Sequence, residues 1–531
     1  MKRLSLCLVL FFVFLLVTRA TVSAVELLDG KLRIRGRLEQ YMVFLTNAPA
    51  DDKFYRGKAL AVNQSIFALE GLFALVDNGT WKINFQNYLR WYYDSAPDFD
   101  THLQRSFSSS SYRYKKYQTN RYDQDDWINE MYIDAYKGPW NIRLGKQVVV
   151  WSEVEMVQTI DKINPIDLRY ATPGIQPFDE LKLSLWMLRG FYNSNLPGNL
   201  IFEHIFIPGD FEATRTPFEG CWAARIPAPN YIKNKPGQAD TINQLMYQEY
   251  PRLSISNYQY AFRIRGNSEV FLFKTPYILD WTVTYWNGLD TGHATFEDTE
   301  RANEIIGGNA VGRVAGNPPP LAYGRDLGTW KRYEAVGAAL QTYVPILQSV
   351  LRGELSYDIG RKWNSIDDSQ PVNTKAVGSL GNFAKGTIER DYFSYGITLD
   401  KPLRIPFYGN RMEKWGVRPY WDATFGVFGG YWIGNVHRVW QWSNTYGKKN
   451  NTFLTLLIRG GLRHNEITPT LRVQYNPQNF GYVSPGISYM PGKHFRYEVG
   501  SIWFWAHDPA DHREAATEDR DMAYIRARYE F

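Results

Sequence analysis

The sequence predicts an all-β protein: a transmembrane antiparallel β-barrel of about 18 strands, with 16 as the alternative count, and long extracellular loops. Three observations predict it. Short segments alternate apolar and polar residues with a period of two, repeatedly along the chain. Aromatic residues are 16% of the 531 residues, with 36 Tyr and 18 Trp, a richness that suits the interfacial girdles of such a barrel. Beyond the amino-terminal segment, no stretch approaches the ~20 apolar residues of a membrane helix.

The first 24 residues have their own layout. Lys2 and Arg3 precede an apolar run from Leu4 to Val17, and small residues follow up to Ala24. That is the plan of a secretory signal peptide cut after Ala24; the rival reading, a membrane anchor, needs a longer apolar run. The expected organisation is a signal peptide over 1–24 and one outer-membrane barrel domain over 25–531. Export leaves one cysteine, Cys221, so no internal disulfide can form. Loss of Lys2, Arg3 and Arg19 lowers the formal charge from +6 to +3, too little to suggest a nucleic-acid partner.

The strands follow in order. In "KLRIRGRLEQ", Leu32, Ile34, Gly36 and Leu38 share one face, and Arg33, Arg35, Arg37 and Glu39 the other. "WKINFQNYLRWYY", "YFSYGITLD", "VRPYWDATFGV" and "ITPTLRVQYN" alternate in the same way. The last segment, "YIRARYEF", sets Ile525, Ala527, Tyr529 and Phe531 against Tyr524, Arg526, Arg528 and Glu530. A soluble sandwich would alternate too. The connections separate the two readings: tight turns follow the even strands and long polar stretches follow the odd ones, as between periplasmic turns and outer loops. An even count places both ends of the barrel in the periplasm and closes "YIRARYEF" on "LRIRGR". Tyr529 and Phe531, the aromatic end of that strand, look like the address read by barrel-assembly machinery.

No catalytic or metal constellation emerges. Neither G-x-S-x-G nor H-E-x-x-H occurs. The "HDPADH" cluster (His507, Asp508, Asp511, His512) matches no metal-site spacing, and "DSAPDFD" lacks the regular spacing of a calcium loop. The Gly-rich run from Gly307 to Pro320 is read as a surface loop. No enzyme activity, metal or cofactor is expected.

The polar strand faces are more informative. With apolar faces toward lipid, the pore lining receives Arg33, Arg35, Arg37, Arg90, Arg352, Arg418, Arg472, Arg526 and Arg528, together with Arg263, Arg265, Arg459, Arg463 and Arg496. Fewer acids share those faces: Glu39, Glu130, Asp134, Glu354, Asp358, Asp422 and Glu498. The surplus predicts an electropositive lumen that favours anions; the alternative is a structural ladder of Arg–acid pairs.

One segment breaks the rhythm. "RLGKQVVVWSEVEMVQTIDKINPIDLRYATPG" starts as a strand and then passes Pro165, Pro173 and Pro177, which cannot continue one. Residues 151–180 are therefore a non-strand loop, either outside on the rim or folded into the lumen as a constriction. Its candidate residues are Trp151, Glu153, Asp161, Asn164 and Asp167.

Gly145, Lys146, Gln147, Trp151, Glu153, Asn164, Pro165, Asp167, Leu181, Pro208 and Cys221 carry a resemblance, clearest from about Trp140 to Trp222. In these residues the chain resembles the outer-membrane barrel family known as domain of unknown function 1302. Ser152 stands where that family usually has glycine. The resemblance implies a large bacterial outer-membrane barrel that moves hydrophobic or organic-acid compounds, and it assigns no catalytic residues. The expected function is a passive channel for small anionic or hydrophobic organic-acid solutes. The alternative is a plugged structural or transport-accessory barrel working with a periplasmic or envelope partner. Expected partners are outer-membrane lipid and lipopolysaccharide, barrel-assembly machinery and the solute.

Overall fold

The computed structural model describes residues 25–46, 59–95, 127–154, 159–167, 175–176, 178–212, 214, 254–272, 275–291, 330–366, 383–434, 439–440, 450–477, 480–506 and 521–531. The expected signal peptide 1–24, Cys221, the Gly307–Pro320 run, Asp98, Asp100 and "HDPADH" lie outside the described residues.

Eighteen strands form the barrel. The first nine are β1 Leu32–Leu45, β2 Ala59–Asp77, β3 Lys82–Asp94, β4 Ile128–Lys137, β5 Trp140–Gln147, β6 Leu185–Asn193, β7 Ile201–Ile207, β8 Gln259–Leu272 and β9 Thr275–Leu289. The second nine are β10 Arg332–Val344, β11 Ser349–Ile359, β12 Tyr392–Arg404, β13 Tyr420–Trp432, β14 Asn450–Arg459, β15 Ile467–Asn476, β16 Phe480–Tyr489, β17 Phe495–Ala506 and β18 Met522–Glu530. Each pairs antiparallel with the next, and β18 returns to β1 from Arg37↔Glu530 to Leu45↔Met522. The sheet therefore has no free edge, as a structure in lipid requires. Val25–Leu27 folds back on the start of β1, and Lys362–Ile366, Phe383–Glu389 and Val439–Trp440 make a separate three-stranded sheet.

The predicted parity of connections holds with two exceptions. Two to seven residues follow β2, β4, β6, β8, β10, β14 and β16, whereas 13 to 51 follow most odd strands. The link after β12 is longer, at 405–419, and contains the helical turn Asn410–Lys414. The link after β15 is short, at 477–479.

The two faces separate as the alternation demands. Leu144 is 60% exposed, Val499 53% and Ile397 50%, all at outward positions. Such exposure of large apolar side chains around the sheet suits lipid and not water. Charged residues take the other parity: Glu39, Asp134, Glu203, Glu354, Asp358 and Arg526 are buried inside.

The closing seam depends on one missing side chain. Phe531 exchanges both backbone hydrogen bonds with Gly36, at 2.8 and 2.9 Å. Its ring covers Gly36 so closely that a Cβ there would lie 2.0 Å from Phe531 Cζ. Tyr529 continues this outward aromatic row, with ring centroids 4.9 Å from Phe495 and 6.0 Å from Phe531. Gly36→Val should therefore force the terminal ring off the seam and reduce the heat-modifiable, folded fraction on gels several-fold. Trimming the ring in Gly36→Val/Phe531→Ala should recover part of it if the clash is the cause; an unchanged folded fraction in Gly36→Val would refute the seam contact.

Candidate functional site

Charge belongs inside this barrel because a Lys or Arg on the lipid face costs ~2–4 kcal/mol at the membrane midplane. Filling the interior with charge poses a second problem, since each buried ion needs a partner. Residues 148–184, between β5 and β6, supply many of those partners.

The segment first makes an apolar contact with one wall. Val149, Trp151, Ile160 and Ile163 join a buried cluster with Met187 of β6, Ile205 and Ile207 of β7, Ala261 of β8, Trp286 of β9 and Ala335 and Ala339 of β10. Burying each large apolar side chain is worth ~1.5–3 kcal/mol. The wall yields where they meet: a Cβ on Gly337 would lie 2.9 Å from Ile160 Cγ2.

Polar pins complete the attachment. Glu354 of β11 projects into the segment and accepts the Ser152 hydroxyl at 2.8 Å, the Val154 N–H at 3.1 Å and the Thr159 N–H at 3.3 Å. The Glu153 N–H also donates to it. Glu203 of β7 accepts Trp151 Nε1 at 3.2 Å and Arg263 Nε at 2.6 Å, and pairs with Arg189. The Arg263 guanidinium lies 5.5 Å from the Trp151 ring centre. Lys162 reaches Asp358 at 3.0 Å, which also pairs with Arg361 at 2.9 Å; Arg361 takes Asp290 at 2.6 Å.

The segment also ties its own ends together. Asp161 accepts the Trp151 N–H at 2.6 Å and pairs with buried Lys182 at 2.7 Å, whose ammonium donates to the Val149 carbonyl at 2.9 Å. Asn164 accepts the Val149 N–H at 2.7 Å and donates to the carbonyls of Gln147 and Leu183 at 3.2 and 2.8 Å. Of the candidate constriction residues, Trp151, Asp161 and Asn164 thus hold the segment's shape. The Glu153 side chain is exposed. Asp167 joins the return strand through its N–H to the Leu181 carbonyl at 2.7 Å.

The far end crosses to the closing seam. Glu180, in the helical turn Phe178–Leu181, pairs with Arg37 of β1 at 3.0 Å and Arg528 of β18 at 3.5 Å. Arg90 of β3 donates to its carbonyl at 2.9 Å. Burial opposes the charged form of Glu180, but Arg37, Arg528 and Arg526 outweigh it and hold the carboxyl below the usual glutamate range.

The structure divides the nine candidate pore arginines. Arg37, Arg90, Arg526 and Arg528 gather at the seam around Glu39, Glu180 and Glu498. Arg352 pairs with Asp400 and donates to Gln341 at 2.8 Å. Arg33 meets Glu26 at 3.2 Å, in an exposed pair near the start of β1. Arg35 lines a cavity there with Glu70, Glu130 and Glu530. Arg418 precedes β13 and pairs with Asp422 at 3.1 Å. Arg472 lies midway along β15 without an ion pair among the described residues.

Sequence reasoning missed Glu180, Lys182, Glu203 and Arg361. Glu203 had one faint signal: "IFEHIFI" is apolar on both faces, the mark of a strand whose inner side is covered by protein. Lys182 and Glu180 follow a proline-punctuated stretch, where no periodicity assigns a side chain to a face.

No group of three His, Cys, Asp or Glu suited to a metal is present among the described residues. No curated protein matches the chain. Solved structures similar to it include a Salmonella typhi OmpF complex with daunomycin (9% identity, 96% of this chain and 100% of that one, TM-score 0.42). Others are Acinetobacter baumannii OccAB4 (9%, 96% and 99%, TM-score 0.45) and a BenF-like porin from Pseudomonas fluorescens Pf-5 (9%, 96% and 100%, TM-score 0.43). A family model described as "Protein of unknown function (DUF1302)" matches residues 78–531, and the chain belongs to that family.

Proposed function

We propose that the protein is a passive outer-membrane channel for small anionic organic solutes, narrowed by residues 148–184. The observation that carries the reading is the one-sided attachment of that segment. Every barrel partner named above lies on β1, β3, β6–β11 or β18. The described pins do not reach β13–β17, which favours an off-centre passage over a full plug. The solute gradient would drive transport, with binding weak enough for release. Outer-membrane lipid is the surrounding medium. Tyr529 and Phe531, outward at the end of β18, are proposed as the address for assembly machinery.

The alternative, a fixed plug in a scaffold barrel, draws support from the density of the Glu354 pins. Conductance in planar bilayers decides between them: discrete channel openings are expected, and a purified, folded barrel that passes no ions would overturn the channel. Reversal potentials under a salt gradient should show anion preference; a cation-selective pore would contradict it.

Deleting residues 156–178 should at least double single-channel conductance, whereas unchanged conductance would remove the constriction. Glu354→Ala strands buried N–H groups at ~1–3 kcal/mol each, so it should loosen the segment and add current noise without unfolding the barrel. A quiet, wild-type trace would show that Glu354 is not a pin.

Acidity gives an independent check. A carboxyl held below its usual value keeps its contribution as pH falls through the ordinary glutamate value of 4.5 and loses it only below that. The Glu180 link should therefore persist to about that pH and release beneath it. Glu180→Gln should show the released conductance already at neutral pH, and identical pH profiles for both proteins would discard the link.

A further inference from the structure

We propose that Arg472 is the docking point for the carboxylate of a permeating organic anion on the β14–β17 wall, which the described pins do not reach. This deepens the channel reading and rests on it.

Most inward arginines described above are neutralised. Arg472 is not: its polar neighbours are the phenols of Tyr482 and Tyr524, with Glu498 as the nearby carboxylate and Arg459 as the nearby like charge. Glu498 is already engaged by Arg496 at 2.6 Å and by Arg526 at 2.7 Å. Across the ladder from Arg472 lies Ser484, fully buried, whose hydroxyl has no hydrogen-bond partner. A guanidinium cannot shed its proton, so its charge persists on a wall of phenols and hydroxyls. Its planar fork matches a carboxylate through two parallel hydrogen bonds.

Position supports the assignment. Arg472 is the sixth of the ten residues of β15, so it lies midway along the strand and away from either rim. The inward segment has its apolar attachment on β6–β10, roughly across the barrel. A solute passing the midpoint of β15 would meet a cation with no ion pair among the described residues. A guanidinium there suits the carboxylate of a small organic acid.

The probe is sodium benzoate, titrated against single channels in dilute KCl. Wild-type current should fall with benzoate concentration. Arg472→Gln should raise the half-blocking concentration at least ~10-fold, as loss of a charge-assisted bidentate contact implies, while KCl conductance changes less than ~2-fold. Arg472→Lys should retain part of the block. Arg265→Gln, which removes another inward charge on β8 without an ion pair among the described residues, should leave the half-block within ~2-fold. An equal half-block in wild type and Arg472→Gln, or an equal loss in Arg265→Gln, would overturn the site while leaving the channel standing. If the wild-type barrel passes no current, the channel reading fails separately. Calorimetric benzoate binding to the folded barrel in detergent then decides the site, and equal affinity in Arg472→Gln overturns it.

Discussion

The constraint behind everything else is the intolerance of lipid for an unpaired peptide group. No water is available in the hydrocarbon to satisfy an N–H or C=O, so the sheet must close, and it closes through nine ladder pairs between β1 and β18. Closure fixes which residue faces which medium, since one parity of every strand now meets lipid. The other parity must accommodate all the charge that lipid rejects. The glycine at position 36 belongs to the same constraint, because the last ladder pair forms only where the terminal ring can lie flat on the neighbouring strand.

Packing charge into a closed interior creates the second level of organisation. Glu203 satisfies two guanidiniums and an indole, Glu354 satisfies a hydroxyl and three backbone N–H groups, and Asp358 satisfies an ammonium and a guanidinium. Removing one member of such a group would leave its partners buried and unpaired, the costly case for polar burial. The apolar half of the attachment is of a different kind. Ile160 and Ile163 bind the wall by area alone, whereas Trp151 adds an indole hydrogen bond to Glu203, so packing and charge hold the segment together.

The strands were legible because alternation is a local property, and lipid outside with charge inside makes it pronounced. "ITPTLRVQYN" and "YIRARYEF" declare both their length and their faces. The short link at 477–479 and the long one at 405–419 were less legible, because turn length depends on how neighbouring strands end. The inward Arg and Glu positions could be assigned by parity, but their pairing could not. Arg37 and Arg528 read as one repulsive row in the sequence, yet Glu180, about 140 residues from Arg37, lies between them.

By itself the sequence determined a closed barrel of about 18 strands, with 16 as the alternative, and the parity that sends arginines inward. Each of these depends on residues adjacent in the chain or two apart. Only the tertiary structure decided what the arginines meet. Asp161 and Asn164 became internal ties, Glu203 became the seat of Trp151, and Arg472 has no ion pair among the described residues. Those outcomes depend on which distant segments share the interior, and a period of two carries no information about what lies across it.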